Sequence, residues 1–243
     1  MTTTTFRIRD AAPSPTDTDA HFITAAFDSC IPHLSSIGSA TQWGTAPLST
    51  SRPGFSARYV TAIADAEKYR LSTTTAANPP LGDSASDSGD SGSSPAIVRV
   101  LIAEAVLPDG GHLPVGAATL RGGYLPKYVL EQKHLAGVTG RLLAGEEGPF
   151  MFLETLVTDF SEATKAYRKG AGAALVEYAR EWVRGLGMGC MYVDCWAGNG
   201  GKLVGFYEAQ GFEKVDAFVA EKPDGVGWPG MFLRMDVAKK DSQ

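Results

Sequence analysis

The stretch Phe150-Met151-Phe152-Leu153-Glu154-Thr155-Leu156-Val157-Thr158 is almost wholly apolar, and it is followed by Asp159 to Lys169 and then by Gly170-Ala171-Gly172-Ala173-Ala174. An apolar run of this length bounded by turn signals predicts a central strand. Beyond the glycines, Leu175, Tyr178, Ala179, Trp182, Val183 and Leu186 keep the helical period, and Gly185 and Gly187 close it. A strand that feeds a glycine-rich turn into a helix N-terminus makes an anion site. The free amides point at the ligand, and the helix dipole favours negative charge. Arg168 and Lys169 add formal charge beside that turn.

Two familiar phosphate-binding patterns do not fit the turn. A nucleoside-triphosphate loop needs Gly-x4-Gly-Lys-Ser/Thr, and no such run occurs. A dinucleotide turn needs Gly-x-Gly-x-x-Gly/Ala, but Leu175 stands where the third small residue belongs.

Reading outward toward the C-terminus, residues 190–196 predict another strand. Gly198-Asn199-Gly200-Gly201 then leads to a short helix over 202–210, stopped by Gly211. Two final strands are expected at 212–220 and 231–237, joined by a Gly/Pro-rich connection containing Trp228-Pro229-Gly230. Toward the N-terminus, residues 96–106 and 113–120 flank Pro108-Asp109-Gly110-Gly111 and read as an antiparallel hairpin. Residues 125–136 suggest a short helix or a lid-like loop. Residues 6–10 alternate as a half-buried strand does. Asp17 to Ile31 carries an apolar stripe through Phe22, Ile23, Ala26, Phe27, Cys30 and Ile31, and a second helix is expected from about Pro53 to Tyr69, with Phe55, Tyr59, Val60 and Ile63 on its buried face. The expected order is β-α-α-β-β-β-α-β-α-β-β, an α/β (α+β) chain forming a single domain over 1–243. Residues 72–95 are rich in Ser, Thr, Gly, Pro, Ala and Asp, with Leu81 the only large apolar side chain, so a disordered surface insertion is expected there. Within it, Gly89-Asp90-Ser91-Gly92-Ser93 looks like a serine-protease nucleophile motif. A triad serine needs a rigid framework and a positioned histidine, so the match is discounted.

Tyr167-Arg168-Lys169-Gly170-Ala171-Gly172 resembles the pyrophosphate loop of the GNAT superfamily of N-acetyltransferases, Gln/Arg-x-x-Gly-x-Gly/Ala. Asn199 followed by Phe206-Tyr207-Glu208-Ala209-Gln210-Gly211-Phe212 resembles the end of that family's core, Asn and then Tyr-x-x-x-Gly-Phe. Tyr167 stands where the family has Gln or Arg, and the stretch from Thr158 to Gly170 is several residues longer than the family's. The resemblance implies the GNAT fold: a mixed central sheet of about six to seven strands, splayed at the cofactor site and flanked by about four helices. It implies acetyl-CoA as co-substrate, with its pyrophosphate on the amides of Arg168, Lys169, Gly170, Ala171, Gly172 and Ala173. It also implies backbone pairing of the pantetheine arm at Leu156, Val157 and Thr158, where an amide would also meet the developing oxyanion.

Direct attack on the acetyl group requires a neutral amine, and hence a base. Glu154 is the first candidate, since burial in an apolar strand raises a carboxyl pKa; the alternative is a carboxylate paired with an arginine. Asp194 is a second candidate base. Cys195 is an acyl carrier only if a base lies beside it, and the sequence positions none. Tyr207 matches the family tyrosine that protonates the departing thiolate, the alternative being an aromatic that packs its helix on the sheet. Asn199 is expected either to contact the cofactor or to cap the 202–210 helix. Substrate selection is expected from the first two helices and the 221–230 connection, with Trp43 and Trp228 as pocket walls or core residues.

Composition bounds these readings. The chain has 243 residues, 44% of them hydrophobic, and a net charge of −5. That charge disfavours a nucleic-acid partner and suits a neutral or cationic small molecule, although a local patch can oppose it. Three scattered cysteines and four histidines offer no disulfide framework and no metal spacing. No secretory signal or membrane span is legible, so a soluble cytoplasmic enzyme is expected. The resemblance also brings a homodimer into view. A primary amine on a small molecule is the leading acceptor. The alternatives are a protein lysine or N-terminal acetyltransferase and a non-catalytic CoA-binding module.

Overall fold

The chain's central strand, β4 (Phe150–Thr158), is where the sheet divides. The computed structural model describes residues 4–76, 96–221 and 225–237. In it β1 (Phe6–Asp10), β2 (Val98–Val106) and β3 (His112–Gly122) run antiparallel up to β4. On the far side stand β5 (Cys190–Trp196), β7 (Gly227–Asp236) and β6 (Glu213–Glu221). The seven strands form one mixed sheet in the order β1-β2-β3-β4-β5-β7-β6.

The only parallel pairing among the described strands joins β4 to β5, and it is short. It runs from Phe150↔Cys190 to Leu153↔Val193 and stops. One residue later, β4 carries an extra residue. Thr119 of β3 faces Thr155, whereas its neighbour Leu120 faces Leu153, so Glu154 is bulged out of register. A β-bulge bends the strand that holds it. Both halves keep their other partners: β4 stays on β3 to Thr158↔Gly116, and β5 stays on β7 to Trp196↔Gly230. The two halves of the sheet therefore diverge beyond Leu153, leaving a cleft with one edge of each strand unpaired.

Helices α6 (Ala171–Gly185) and α7 (Gly198–Ala209) cover one face. Ala171, Leu175, Val176, Ala179 and Val183 of α6 pack with Leu120, Met151, Leu153 and Met191 of the sheet. The approach is close because Gly116 has no side chain: a Cβ there would sit 2.9 Å from the Val157 carbonyl oxygen and 3.4 Å from Leu175 Cδ1. Gly116→Val is therefore expected to destabilise the fold by about 1–3 kcal/mol through overpacking, read as a lower urea midpoint at unchanged slope.

The other face is covered by α1 (Thr18–Ser36), α2 (Leu48–Ser51) and α3 (Phe55–Ala76) over β2–β4. The short α4 (Lys127–Leu130) and α5 (Ala136–Leu143) cover the β5–β7 side. Arg9 locks the N-terminus of α1 to the sheet. It donates to both oxygens of Asp19 at 2.7 and 2.8 Å, and to Glu104 at 2.7 Å.

The order of the main elements is the one expected from the sequence, with two corrections. Helix α3 runs past Tyr69 to Ala76, so residues 72–76 do not belong to an insertion. The Thr73 and Thr74 hydroxyls each bond back to the Arg70 carbonyl at 2.9 Å, which satisfies these polar side chains inside the helix. Residues 77–95, including the Gly89–Ser93 motif, lie outside the described residues. Part of the 221–230 connection is strand: Gly227–Gly230 extend β7 against β6, with Pro229 opposite Val219. Gly230 permits this, since a Cβ there would fall within 2.3 Å of the Phe218 ring.

Candidate active site

The divergence of β4 and β5 opens a cavity of about 1160 Å³ that runs through the sheet from the α6 turn to the α1–α3 face. Pockets for one small ligand measure roughly 300–1,000 Å³, so this one has room for two reactants. Leu156, Val157 and Thr158 line one wall, and Asp194, Cys195 and Trp196 the other. The Thr158 carbonyl accepts a hydrogen bond from the Cys30 thiol at 3.3 Å, which fixes this end of β4 to α1.

At one end lies the turn 168–173. Gly170, at φ 94°, is the N-cap residue of α6, and no side chain caps the helix. Among the described residues, the amides of Gly172 and Ala173 have no backbone acceptor, as expected at a helix start. Arg168, Lys169, Gly170, Gly172 and Ala173 all line the cavity. Ala171 does not; it is fully buried against β3, with its Cβ 3.7 Å from where a Cβ on Gly116 would be. The long stretch before the turn folds back on α1: the Phe160 amide donates to Ser29 Oγ at 2.8 Å, and its ring stacks on His33 at 3.9 Å. Arg168 lies over the same ring at 4.5 Å and donates to the Ser161 carbonyl at 3.1 Å, so its guanidinium is held in place. Tyr167 packs on the core instead of facing the turn's amides.

Deeper in the cleft stand Tyr207 and Asp194. Tyr207 is buried on α7 and braced edge-on by Phe206 at 5.2 Å and Phe212 at 5.5 Å. Burial, with the neighbouring Cys195 and Asp194, raises its phenol above the ordinary value and keeps the proton on it. The Asp194 carboxyl is pushed up to about 6 by burial, against the opposing hydrogen bond from Tyr128 Oη at 3.0 Å; the nearby Glu154 charge pushes the same way as burial. Cys195 is pushed up to about 12 by burial and by Asp194, so it stays a thiol.

Glu154, at the bulge, has both oxygens engaged: Oε2 by Arg121 Nε at 2.6 Å and Oε1 by Arg58 at 3.4 Å. That is the arginine-paired arrangement left open in the sequence. Asn199 sits at φ 52° at the start of a left-handed turn with Gly200 and Gly201. Its side-chain amide donates to the Ile37 carbonyl at 2.8 Å and to Ser39 Oγ at 2.7 Å, tying α7 to the segment after α1. It does not cap the helix, although it still lines the cavity.

Trp43 and Trp228 both reach the cavity from opposite ends of the chain. Trp43 packs on Phe27 at 4.9 Å, and Trp228 Nε1 donates to the Gln42 carbonyl at 3.0 Å, next to Trp43. Side chains not singled out in the sequence complete this wall: Arg52, Arg58, Tyr124 and Tyr128. Arg58 follows Phe55 by one helical turn on a helix whose buried face was legible, and that spacing is the only local signal it gives. The partnership of Tyr128 with Asp194 spans 66 positions and leaves no local trace.

No family model matches the chain, and no curated protein matches it in sequence. Solved structures do match its fold. A GNAT-family acetyltransferase from Listeria monocytogenes aligns at TM-score 0.52 and 17% identity, over 95% of this chain and 94% of the other. A protein from Salmonella typhimurium, an acetyltransferase by assignment and solved with its cofactor acetyl-CoA, aligns at TM-score 0.52 and 14% identity, over 98% and 96%. One from Acinetobacter baylyi, also an acetyltransferase by assignment, aligns at TM-score 0.53 and 14% identity, over 98% and 97%. No described helix is long and apolar enough to cross a membrane.

Proposed function

We propose that this chain, which has the GNAT fold, is an N-acetyltransferase that moves the acetyl group of acetyl-CoA to the primary amine of a small molecule by direct attack. The observation that carries the reading is the cleft between β4 and β5. It joins an uncapped helix N-terminus at one end to a protonated phenol and a carboxyl of raised pKa in its depth.

The residues fit the co-substrate. The amides of Gly172 and Ala173 and the charges of Arg168 and Lys169 suit a pyrophosphate, and the open edge of β4 at Leu156 to Thr158 suits an extended amide-bearing arm. When bound, acetyl-CoA supplies an activated thioester. Asp194 takes the proton of the attacking amine at its carboxylate, the role for which a pKa near neutrality is best matched. Glu154 fixes charge at the bulge, since both its oxygens already hold arginines. Tyr207 holds a proton at its hydroxyl for the departing sulfur. The aromatic side chains that line this end suit a small acceptor with an apolar body, which favours a free amine over a peptide.

The test is calorimetric titration with acetyl-CoA, followed by thiol release over a panel of amines. Binding with release supports the reading, and absence of binding refutes it. Gly172 gives a residue-level check. Its missing Cβ would lie 3.4 Å from Phe206 and 3.8 Å from Thr158 Oγ1, in the approach to the free amides. Gly172→Val is expected to weaken acetyl-CoA about tenfold or more, a loss of roughly 1.4 kcal/mol or above.

A further inference from the structure

The chain is acidic overall, but its cavity is not. The end facing α1–α3 carries Arg52 and Arg58 on its rim, with Arg121 beneath, against only Glu154 and Asp194. Glu154 is claimed by Arg121 at 2.6 Å, and Arg58 reaches it only at 3.4 Å. One carboxylate thus serves two guanidinium groups, and one oxygen of Asp194 accepts from Tyr128. Arg58 is also held over the rings of Phe55 at 5.7 Å and Tyr59 at 5.1 Å, so the wall as well as the longer contact to Glu154 sets its position. Arg52 lines the same cavity as Arg58 and Tyr59, so both positive charges face it. Tyr124 and Asp194 line that cavity too, so the two arginines and the candidate base share one chamber. The rest of that chamber is aromatic: Phe27 contacts Trp43, Phe55 and Tyr59 at 4.9, 5.2 and 5.8 Å.

Resting on the acetyltransferase reading, we propose that the acceptor is an amino-carboxylate with a flat apolar body, its carboxylate held by Arg58 and Arg52 and its amine turned to Asp194. A guanidinium fork suits a carboxylate because it offers two parallel donors. The ring-lined chamber takes the flat body at little cost in side-chain ordering. A polycationic amine meets at the entrance the charge of Arg52 and that of Arg58, which shares its one carboxylate with Arg121, and is repelled. The wild-type preference between amine classes follows from this chamber, not from the net charge of −5.

The test uses the full chain and three probes of known chemistry: L-phenylalanine, 2-phenylethylamine and spermidine. Acetyl-CoA binding is first measured by calorimetry, so that failure of the enzyme reading is seen separately. With binding established, kcat/KM by thiol release is expected to be at least about tenfold higher for L-phenylalanine than for 2-phenylethylamine, which lacks only the carboxylate, and spermidine is expected to be the poorest. In Arg58→Gln the ratio of the two phenyl substrates is expected to fall toward one. Arg52→Gln gives a second variant with the same expected direction, and thermal melting of both checks that they fold. Equal rates for the two phenyl amines, faster turnover of spermidine, release with none of the three, or a ratio unmoved by both substitutions overturns the proposal while leaving acetyl-CoA binding in place.

Discussion

Tyr207→Phe is expected to lower kcat about 100-fold while changing the acetyl-CoA dissociation constant less than about threefold, the lower end of the range for general acid–base groups. The substitution keeps the ring, and with it the edge-on contacts to Phe206 and Phe212 that seat α7 on the sheet. Only the hydroxyl is lost. Burial and the nearby Cys195 and Asp194 raise that hydroxyl above its ordinary value. The raised value keeps the proton in place, but it also makes full transfer to a thiolate, whose conjugate thiol has a pKa of about 8.5, an uphill step. The hydroxyl therefore works best as a hydrogen-bond donor to the departing sulfur, which is why the lower end of the range applies. Single-turnover acetylation and calorimetry on the same variant separate the two quantities. An equal loss in both would assign Tyr207 to packing and remove it from the chemistry.

The local geometry of this site was legible in the sequence, and the pairwise geometry was not. β4 (Phe150–Thr158), β5 (Cys190–Trp196) and the start of α6 at Ala171 fall where the apolar runs and the glycines put them, because each is specified by its own period and punctuation. The bulge at Glu154 is different. It depends on how β3 and β4 come into register, and no residue in 150–158 marks it. That bulge decides where the sheet opens and places Glu154 between Arg121 and Arg58, which are 33 residues and 96 residues away in the chain. A buried carboxylate in an apolar strand reads equally well as a base or as half of an ion pair, and only the partners decide. The same holds for Asn199. Its position before a helix suggests a cap, but the left-handed turn that it opens with Gly200 and Gly201 turns its amide to the segment after α1. The Gly/Pro-rich stretch Trp228-Pro229-Gly230 reads as a connection from composition, but it is the start of β7. Pro229 pairs with Val219 of β6, and its carbonyl accepts from the Ala197 amide at 2.9 Å.

If Asp194 is the base, then log kcat/KM should rise with unit slope as pH increases and level off above a pH of about 6. Its surroundings make this assignment specific. Tyr128 from α4 donates to it, Glu154 from β4 repels its charge, and Tyr207 from α7 and Cys195 beside it stay protonated through that range. His33 also lines the cleft, with burial and the Arg168 charge lowering its imidazole from its ordinary value, so the limb is assigned by its loss in a substitution at Asp194. The stability consequence has the opposite sign to that of an ion-paired carboxylate. The folded value of about 6 lies above the reference of 3.8, so between these the native state binds more protons than the unfolded chain, and stability declines as pH rises through that window. Above it, the buried charge is a standing cost. Asp194→Asn removes that cost and keeps an oxygen to accept the Tyr128 hydrogen bond. The variant should therefore lose about 100-fold or more in kcat/KM at pH 7 while melting no lower than the parent, and its pH–rate profile should lose the limb near 6. A variant that melts lower and keeps the limb would return the base role to Glu154 or to water, and would make Asp194 the structural partner of Tyr128.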